Sequence, residues 1–176
     1  MGNNEDRPIE DVIGRVNLRK IVKEDRERIR NILLNVEIFT EDEVRVALSL
    51  IDVYFTGDED YKFVVVAYES QVIGYACYGS TPMTSGTWDI YWMAILKEFQ
   101  GNKIGTLLIR EVEKEIQKRG ARLILIETSS KESYNATREF YQWMGYKPVG
   151  KIERFYSEQD DKLIYGKYFE RNIPNV

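Results

Sequence analysis

The stretch Gln100-Gly101-Asn102-Lys103-Ile104-Gly105-Thr106 holds the residues whose types and spacing point most directly to chemistry. An apolar, aromatic segment, Trp88-Asp89-Ile90-Tyr91-Trp92-Met93-Ala94-Ile95, precedes it, and a segment with helical periodicity follows. A helix start leaves about four backbone N–H groups without intrahelical acceptors, and the aligned peptide dipoles add partial positive charge there. Small residues in the turn let an anion approach those donors, so the arrangement suits a phosphate or pyrophosphate. Two familiar phosphate loops do not fit. The dinucleotide fingerprint needs three glycines, whereas Gly101 and Gly105 are two at a different spacing. A Walker loop needs Gly-Lys-Ser/Thr at the helix start, and Lys103 is followed by Ile104.

What the chain lacks is equally informative. It has no histidine and one cysteine among 176 residues. Ser-His-Asp and Cys-His nucleophile systems are excluded, as are zinc sites of His or paired Cys, and no metal site is expected. A single cysteine forbids an intrachain disulfide. Cys77 lies in the apolar run Val72 to Tyr78 and reads as a buried, inert thiol. Proton chemistry therefore falls to Asp, Glu, Tyr, Lys or water.

The loop needs a strand before it and a helix after it, and the patterning predicts both. Val16 to Ile21 alternates as a strand does; Asp25 to Leu34 carries Ile29, Ile32 and Leu33 at helical spacing. A second helix starts near Thr40, with Glu43 completing a capping box and Val44, Ala47, Leu48 and Ile51 on one face. After the acidic turn Gly57 to Asp60, residues 63–68 and 72–78 form a hairpin around Glu69-Ser70-Gln71, and the strand Trp88 to Ile95 follows a loop with Pro82 and Gly86. The helix behind the loop carries Ile104, Leu107, Leu108, Val112 and Ile116 on one stripe and stops at Gly120. Leu123 to Ile126 is a continuous apolar run, expected to be a central strand covered on both faces. Strand, helix and strand imply a βαβ unit with parallel strands. A shorter helix over about 134–144 ends at Gly145, and strands near 146–155 and 162–169 flank an acidic turn, Glu158 to Asp161.

Composition agrees with one soluble domain: 43% apolar and 31% charged residues. A net charge of −4 and a pI near 5.1 argue against nucleic-acid binding. No apolar run approaches the roughly 20 residues of a membrane span, and Met1 to Asp11 lacks a hydrophobic segment, so a cytoplasmic location is expected.

The loop resembles the acetyl-CoA loop of the GCN5-related N-acetyltransferase family, whose pattern is Arg/Gln-x-x-Gly-x-Gly/Ala. Gln100 fills the first position and Gly105 the last, while Lys103 stands where the family has its first glycine. A lysine there either reaches a cofactor phosphate or is solvated. The family's late helix carries Asn-x-x-Ala-x-x-Phe-Tyr and then Gly-Phe; Phe140-Tyr141 and Gly145-Tyr146 match, with Tyr134 and Thr137 in place of Asn and Ala. The order β-α-α-β-β-β-α-β-α-β-β also matches, over about residues 15–170.

The resemblance implies an α/β (α+β) fold with a mixed, mostly antiparallel sheet of about seven strands flanked by about four helices. Residues 1–14 would be a polar tail and 15–176 one N-acetyltransferase domain. The fourth and fifth strands would splay, with pantetheine bonded to the backbone of Met93, Ala94 and Ile95. Gln100, Gly101, Asn102, Lys103, Ile104, Gly105, Thr106, Tyr134 and Tyr141 would complete the acetyl-CoA site. Backbone N–H near Ala94 or Ile95 would meet the oxyanion of a directly attacked thioester, and Tyr141 would protonate the leaving thiolate. Glu127, ending the apolar fifth strand where a carboxylate beside a cleft has its pKa raised, and Asp89, set among Trp88, Tyr91 and Trp92, are the candidate bases. Each reads equally as a cap or ion-pair residue. Trp88, Tyr91, Trp92 and Tyr75 would line the acceptor pocket or sit in the core, and Tyr156 would close that pocket. The acceptor is a primary amine, small or protein-borne, and both monomer and homodimer stay open. The other readings are a degenerate acyl-CoA-binding regulatory module, prompted by Lys103, Tyr134 and Thr137, and an unrelated phosphate-binding α/β protein.

Overall fold

The computed structural model describes residues 12–58 and 60–169. Residues 1–11 of the expected tail, Glu59 of the acidic turn and residues 170–176 lie outside them. Val12 is buried in the core, so it belongs to the fold and not to a polar tail.

The described elements are β1 (Val16–Lys20), α1 (Asp25–Val36), α2 (Glu41–Tyr54), β2 (Tyr61–Tyr68), β3 (Gln71–Ser80), β4 (Thr87–Ile95), α3 (Ile104–Gln117), β5 (Leu123–Ser129), α4 (Asn135–Trp143), β6 (Lys147–Ser157) and β7 (Asp160–Tyr168). The strands form one sheet in the order β1-β2-β3-β4-β5-β7-β6. β4 and β5 are parallel from Thr87↔Leu123 to Ile90↔Ile126, as a crossover through α3 requires. β1 with β2, β5 with β7, and β6 with β7 are antiparallel. The expected mixed, mostly antiparallel sheet with four helices is therefore what forms. Among the described residues, no helix is long and apolar enough to cross a membrane.

The chain divides into two compact units. The first comprises Met1–Cys77 with Trp92–Val112. Its core is the apolar stripes of α1 (Ile29, Ile32, Leu33) and α2 (Val44, Ala47, Leu48, Ile51) with Val65, Ile73 and Tyr75. The capping box at Thr40 is in place: its hydroxyl accepts the Glu43 N–H at 3.2 Å, and its own N–H donates to the Glu43 carboxylate at 2.7 Å. Arg19 donates to both oxygens of Asp25, at 2.7 and 2.8 Å, tying the end of β1 to the start of α1. Burial pushes the Asp25 carboxyl up, but the Arg19 guanidinium and the Val22 N–H outweigh it and hold it below the usual range. Glu69 and Ser70 link β2 to β3 with positive φ (48° and 70°), the backbone that a tight two-residue hairpin demands.

The second unit comprises Tyr78–Tyr91 with Glu113–Val176. Ile124 and Ile126 of β5 are fully covered, while Leu123 and Leu125 are only half-buried. The expectation of equal cover on both faces therefore fails on the face that carries Leu123 and Leu125. The acidic turn also proves shorter than expected. Only Glu158 and Gln159 separate β6 from β7, and Asp160, 2% exposed, accepts from the Ser129 hydroxyl (2.6 Å) and the Ser130 N–H (3.1 Å). A carboxylate so supplied with donors can be buried. Glu113, buried on α3, accepts from Tyr146 Oη at 3.0 Å and Lys167 Nζ at 2.8 Å, which fastens the helix to the start of β6 and to β7.

Gly74 shows how tightly β3 meets β4. A Cβ there would lie 3.0 Å from the Ala94 carbonyl oxygen, 3.0 Å from Ile95 Cγ1 and 3.1 Å from Val66 Cγ1. Gly74→Ala is therefore expected to destabilise the protein by about 1–3 kcal/mol, the usual cost of overpacking. Thermal unfolding should show it as a fall of roughly 2–4 °C per kcal/mol. An unchanged midpoint would mean that the two strands have slack.

Candidate active site

In the first unit the chain leaves β4 through a braced turn. Leu96 donates its N–H to the Ile73 carbonyl at 2.9 Å, and Lys97 donates its N–H to Asn35 Oδ1 of α1 at 3.0 Å. A short 3₁₀ turn, Lys97–Phe99, leads to the exposed loop Gln100–Lys103. Gln100 Nε2 donates to the Ile95 carbonyl at 2.9 Å, and Asn102 Nδ2 to the Gln100 carbonyl at 3.2 Å, so the loop's amides stiffen it from within. Gly101 and Lys103 both take the left-handed backbone, with φ of 77° and 58°. For glycine this is free; for lysine it costs about 1–2 kcal/mol. The conformation shows what this position asks of the backbone, and why a glycine suits it.

Lys103 is the last residue before α3, and its carbonyl accepts the Leu107 N–H at 3.1 Å. The N–H groups of Ile104, Gly105 and Thr106 therefore open the helix with no residue behind them to accept within it. α1 and α2 both carry acidic residues in their first turns; α3 carries none. Among the described residues no carboxylate pairs with Lys103. Its charge adds to the positive end of the helix, and the site is electrostatically prepared for an anion.

Backbone direction along β4 sorts its three candidate residues. Successive residues of a strand present their N–H and C=O to opposite sides. Leu96 N–H points to β3, and so does the Ala94 carbonyl that lies against Gly74. Met93 and Ile95 consequently present their backbone groups away from β3, and the Ile95 carbonyl is already engaged by Gln100. The expectation of Ala94 as a backbone partner is thus narrowed to its two neighbours. Trp92 packs edge-on against Phe39 with ring centres 5.4 Å apart, which makes it a packing residue. Tyr75 and Cys77 are fully buried, and burial pushes the Cys77 thiol far above its usual range.

The second unit carries the three proton-carrying candidates. Asp89 is half-buried on β4 and accepts from the Thr81 hydroxyl. Burial, followed by the nearby Glu127 charge, raises its carboxyl above the usual range against that hydrogen bond. Glu127 is more open, with its side chain 48% exposed, and pairs with Lys162 Nζ at 2.6 Å. Tyr141 is buried on α4, with ring centres 5.8 Å from Phe140, 6.2 Å from Tyr146 and 6.3 Å from Tyr165. Burial, helped by the neighbouring Tyr134 phenol, raises Tyr141 well above the usual tyrosine range. Trp88 is core and Tyr91 is exposed, while Tyr156 stands half-exposed against Phe155, ring centres 4.9 Å apart. Sequence reasoning missed Lys162; strand alternation alone gave no sign that its cation would turn to Glu127. Among the described residues, no group of three or more His, Cys, Asp or Glu side chains could hold a metal ion.

A sequence profile of the acetyltransferase (GNAT) domain matches residues 59–148, about half the chain. A solved protein from Desulfovibrio desulfuricans, assigned to the GNAT family of acetyltransferases, is 34% identical with a TM-score of 0.83, covering 87% of this chain and 98% of that one. The chain belongs to the GNAT family. It is an acetyltransferase by class. Two further solved structures are more distant and speak to the fold alone. An N-acetyltransferase from Thermoplasma acidophilum, in complex with coenzyme A, is 19% identical (TM-score 0.68, covering 88% of this chain and 99% of that one). A protein from Salmonella typhimurium assigned as an acetyltransferase, solved with acetyl-CoA, is 16% identical (TM-score 0.69, covering 92% and 99%). A search of curated proteins gives no match.

Within this GNAT domain the departure at Lys103 is one of side chain, since the backbone is the one a glycine would take. Lys103→Gly should therefore raise the stability of the ligand-free protein by about 1 kcal/mol, read as a higher unfolding midpoint. A fall would show that the lysine's own contacts outweigh the strain. Asp89 gives a second test. A carboxyl whose folded pKa is raised favours the fold below its unfolded pKa, about 3.9, and loses that advantage as pH rises through the folded value. Asp89→Asn should thus gain in midpoint over the parent between pH 4 and pH 7. A constant difference across that window would remove the desolvated charge.

Proposed function

We propose that this chain is an acetyl-CoA-dependent N-acetyltransferase that works in the cytoplasm and moves acetyl to the primary amine of an acceptor by direct transfer. The observation that carries this reading is the start of α3: an acid-free helix N-terminus behind an exposed loop, with Lys103 unpaired by any described carboxylate. A Cβ at Gly101 would meet nothing within 4 Å, so no neighbouring atom covers the loop at that point. The residues present fit the cosubstrate. N–H groups from Gly101 to Thr106 would hold its pyrophosphate, with Gln100 and Asn102 fixing the loop and Lys103 adding charge. The outward backbone groups of Met93 would hold the pantetheine arm as an added strand, with the Ile95 N–H left for the thioester oxygen.

Bound acetyl-CoA supplies an activated thioester carbonyl. The Ile95 N–H, turned away from β3, is the donor placed to meet an oxyanion, since Ala94 faces the other way. Asp89, its carboxyl raised by burial, takes a proton from the acceptor through water. Tyr141 keeps its proton through the working pH range, because burial disfavours the phenolate, and is therefore a donor whenever a thiolate develops nearby.

Acetyl-CoA should raise the unfolding midpoint by mass action, and CoA fragments lacking the 3′,5′-ADP portion should do so far less. Tyr141→Phe should retain folding and acetyl-CoA binding while turnover on a good amine falls about 10²–10⁴-fold. Free-thiol release across an amine panel reads both. No acetyl-CoA binding by thermal shift and calorimetry would sink the reading. Binding without turnover on any amine would make the chain a regulatory module.

A further inference from the structure

Lys162 lies on β7, with its ammonium 2.6 Å from a Glu127 carboxylate oxygen and 3.8 Å from the centre of the Phe155 ring. Only 12% of its side chain is exposed. An exposed lysine–glutamate pair contributes little, because water solvates both ends. Here the cation has lost most of its water and gained a carboxylate and an aromatic face in exchange, which together fix it in place. A bulge carries Phe155 to this position. β6 pairs Ile152 with Lys162 and next Ser157 with Asp160, so Glu153 to Tyr156 face Asp161 alone. The Asp161 carboxylate accepts the Arg154 N–H at 2.8 Å, and Arg154 takes a left-handed φ of 53°. Bulges of this kind re-aim side chains and concentrate beside active sites.

Asp89 and Glu127 stand on neighbouring parallel strands. Asp89 pairs with Leu125, two residues before Glu127, so both carboxylates leave the same face of the sheet. Two carboxylates held close resist being ionised together. The groups that act on Asp89 are Glu127 from β5 and the Thr81 hydroxyl from the loop before β4. Lys162 stands behind Glu127, paired with it at 2.6 Å.

We propose that Lys162 is a positioning residue of the acyl transfer: by pairing with Glu127 it holds that carboxylate occupied, and so leaves Asp89 to take the acceptor's proton. The step moves one proton from the acceptor's ammonium through water to the Asp89 carboxylate, giving a neutral amine and a carboxylic acid. The acid returns that proton to solvent once transfer is complete. The inference rests on the reading of Asp89 as the base, and the two are separable by experiment.

Carboxyl-carbon NMR titration of the ligand-free protein reads the Asp89 and Glu127 midpoints without any activity. Lys162→Met keeps a chain over Phe155 but removes the charge, and the Asp89 midpoint should rise by on the order of one pH unit. Lys162→Arg should hold it near the parent value. Glu127→Gln should lower it, and adding Lys162→Met to Glu127→Gln should then change little. In acetyl-transfer assays the acidic limb of kcat/KM should move with the Asp89 midpoint in each variant. An Asp89 midpoint indifferent to Lys162→Met overturns the charge coupling, whatever the base is. A midpoint that moves while the acidic limb stays overturns Asp89 as the base, and the catalytic part of the proposal with it. If Lys162→Met fails to fold, Lys162→Arg and Glu127→Gln carry the same comparison.

Discussion

The left-handed backbone at Lys103 is the constraint from which the rest of the site follows. The chain has to leave β4, turn through a few residues and open α3 with its first N–H groups facing outward. A right-handed or extended residue at that point would send the helix elsewhere. The contacts around the turn all serve the same geometry. Ile73 and Asn35 hold its beginning, Gln100 ties it back to the end of β4, and Ile104 is buried in the core as the helix starts. Lysine is a strained choice there, and strain held in place by surrounding contacts is characteristic of functional loops. Its cation is what the strain gains.

The same economy governs the proton-carrying groups. A carboxylate is a useful base near neutrality only if something raises it from its ordinary range, and burial does so at some loss of stability. Asp89 carries that burden, with one hydrogen bond from Thr81 to limit it. Glu127 keeps its solvent and its lysine. The two carboxylates thus sit in different surroundings, one half-buried and one open to solvent and paired with a lysine.

Much of the fold was legible because its signals are local. The capping box at Thr40, the apolar stripes of the helices and the turns at Glu69-Ser70 and Gly145 depend on neighbours in the chain, and each formed where the pattern placed it. The loop and Phe140-Tyr141 were legible through resemblance, and the GNAT profile bears that family out. What the chain did not show were contacts made at long range. Asp160 looked like part of a solvated turn, yet Ser129 and Ser130, some thirty residues earlier, bury it. Val12 looked like tail and is core. Lys162 carried no signal of its own in the sequence, and the pairing of β7 with β5 brings it to Glu127.

Ala94 shows why spacing alone could not finish the site. Sequence can place three residues at the end of a strand, but which of them face a ligand depends on which side the neighbouring strand occupies. That side is set by Gly74, whose missing side chain lets the Ala94 carbonyl approach β3. Once Ala94 is turned inward, the alternation of the backbone turns Met93 and Ile95 outward with no further choice. A glycine some twenty residues upstream thus bears on which backbone groups at the end of β4 face β3. Its influence passes through strand geometry, which is the one feature of the site that no side chain on β4 could supply for itself.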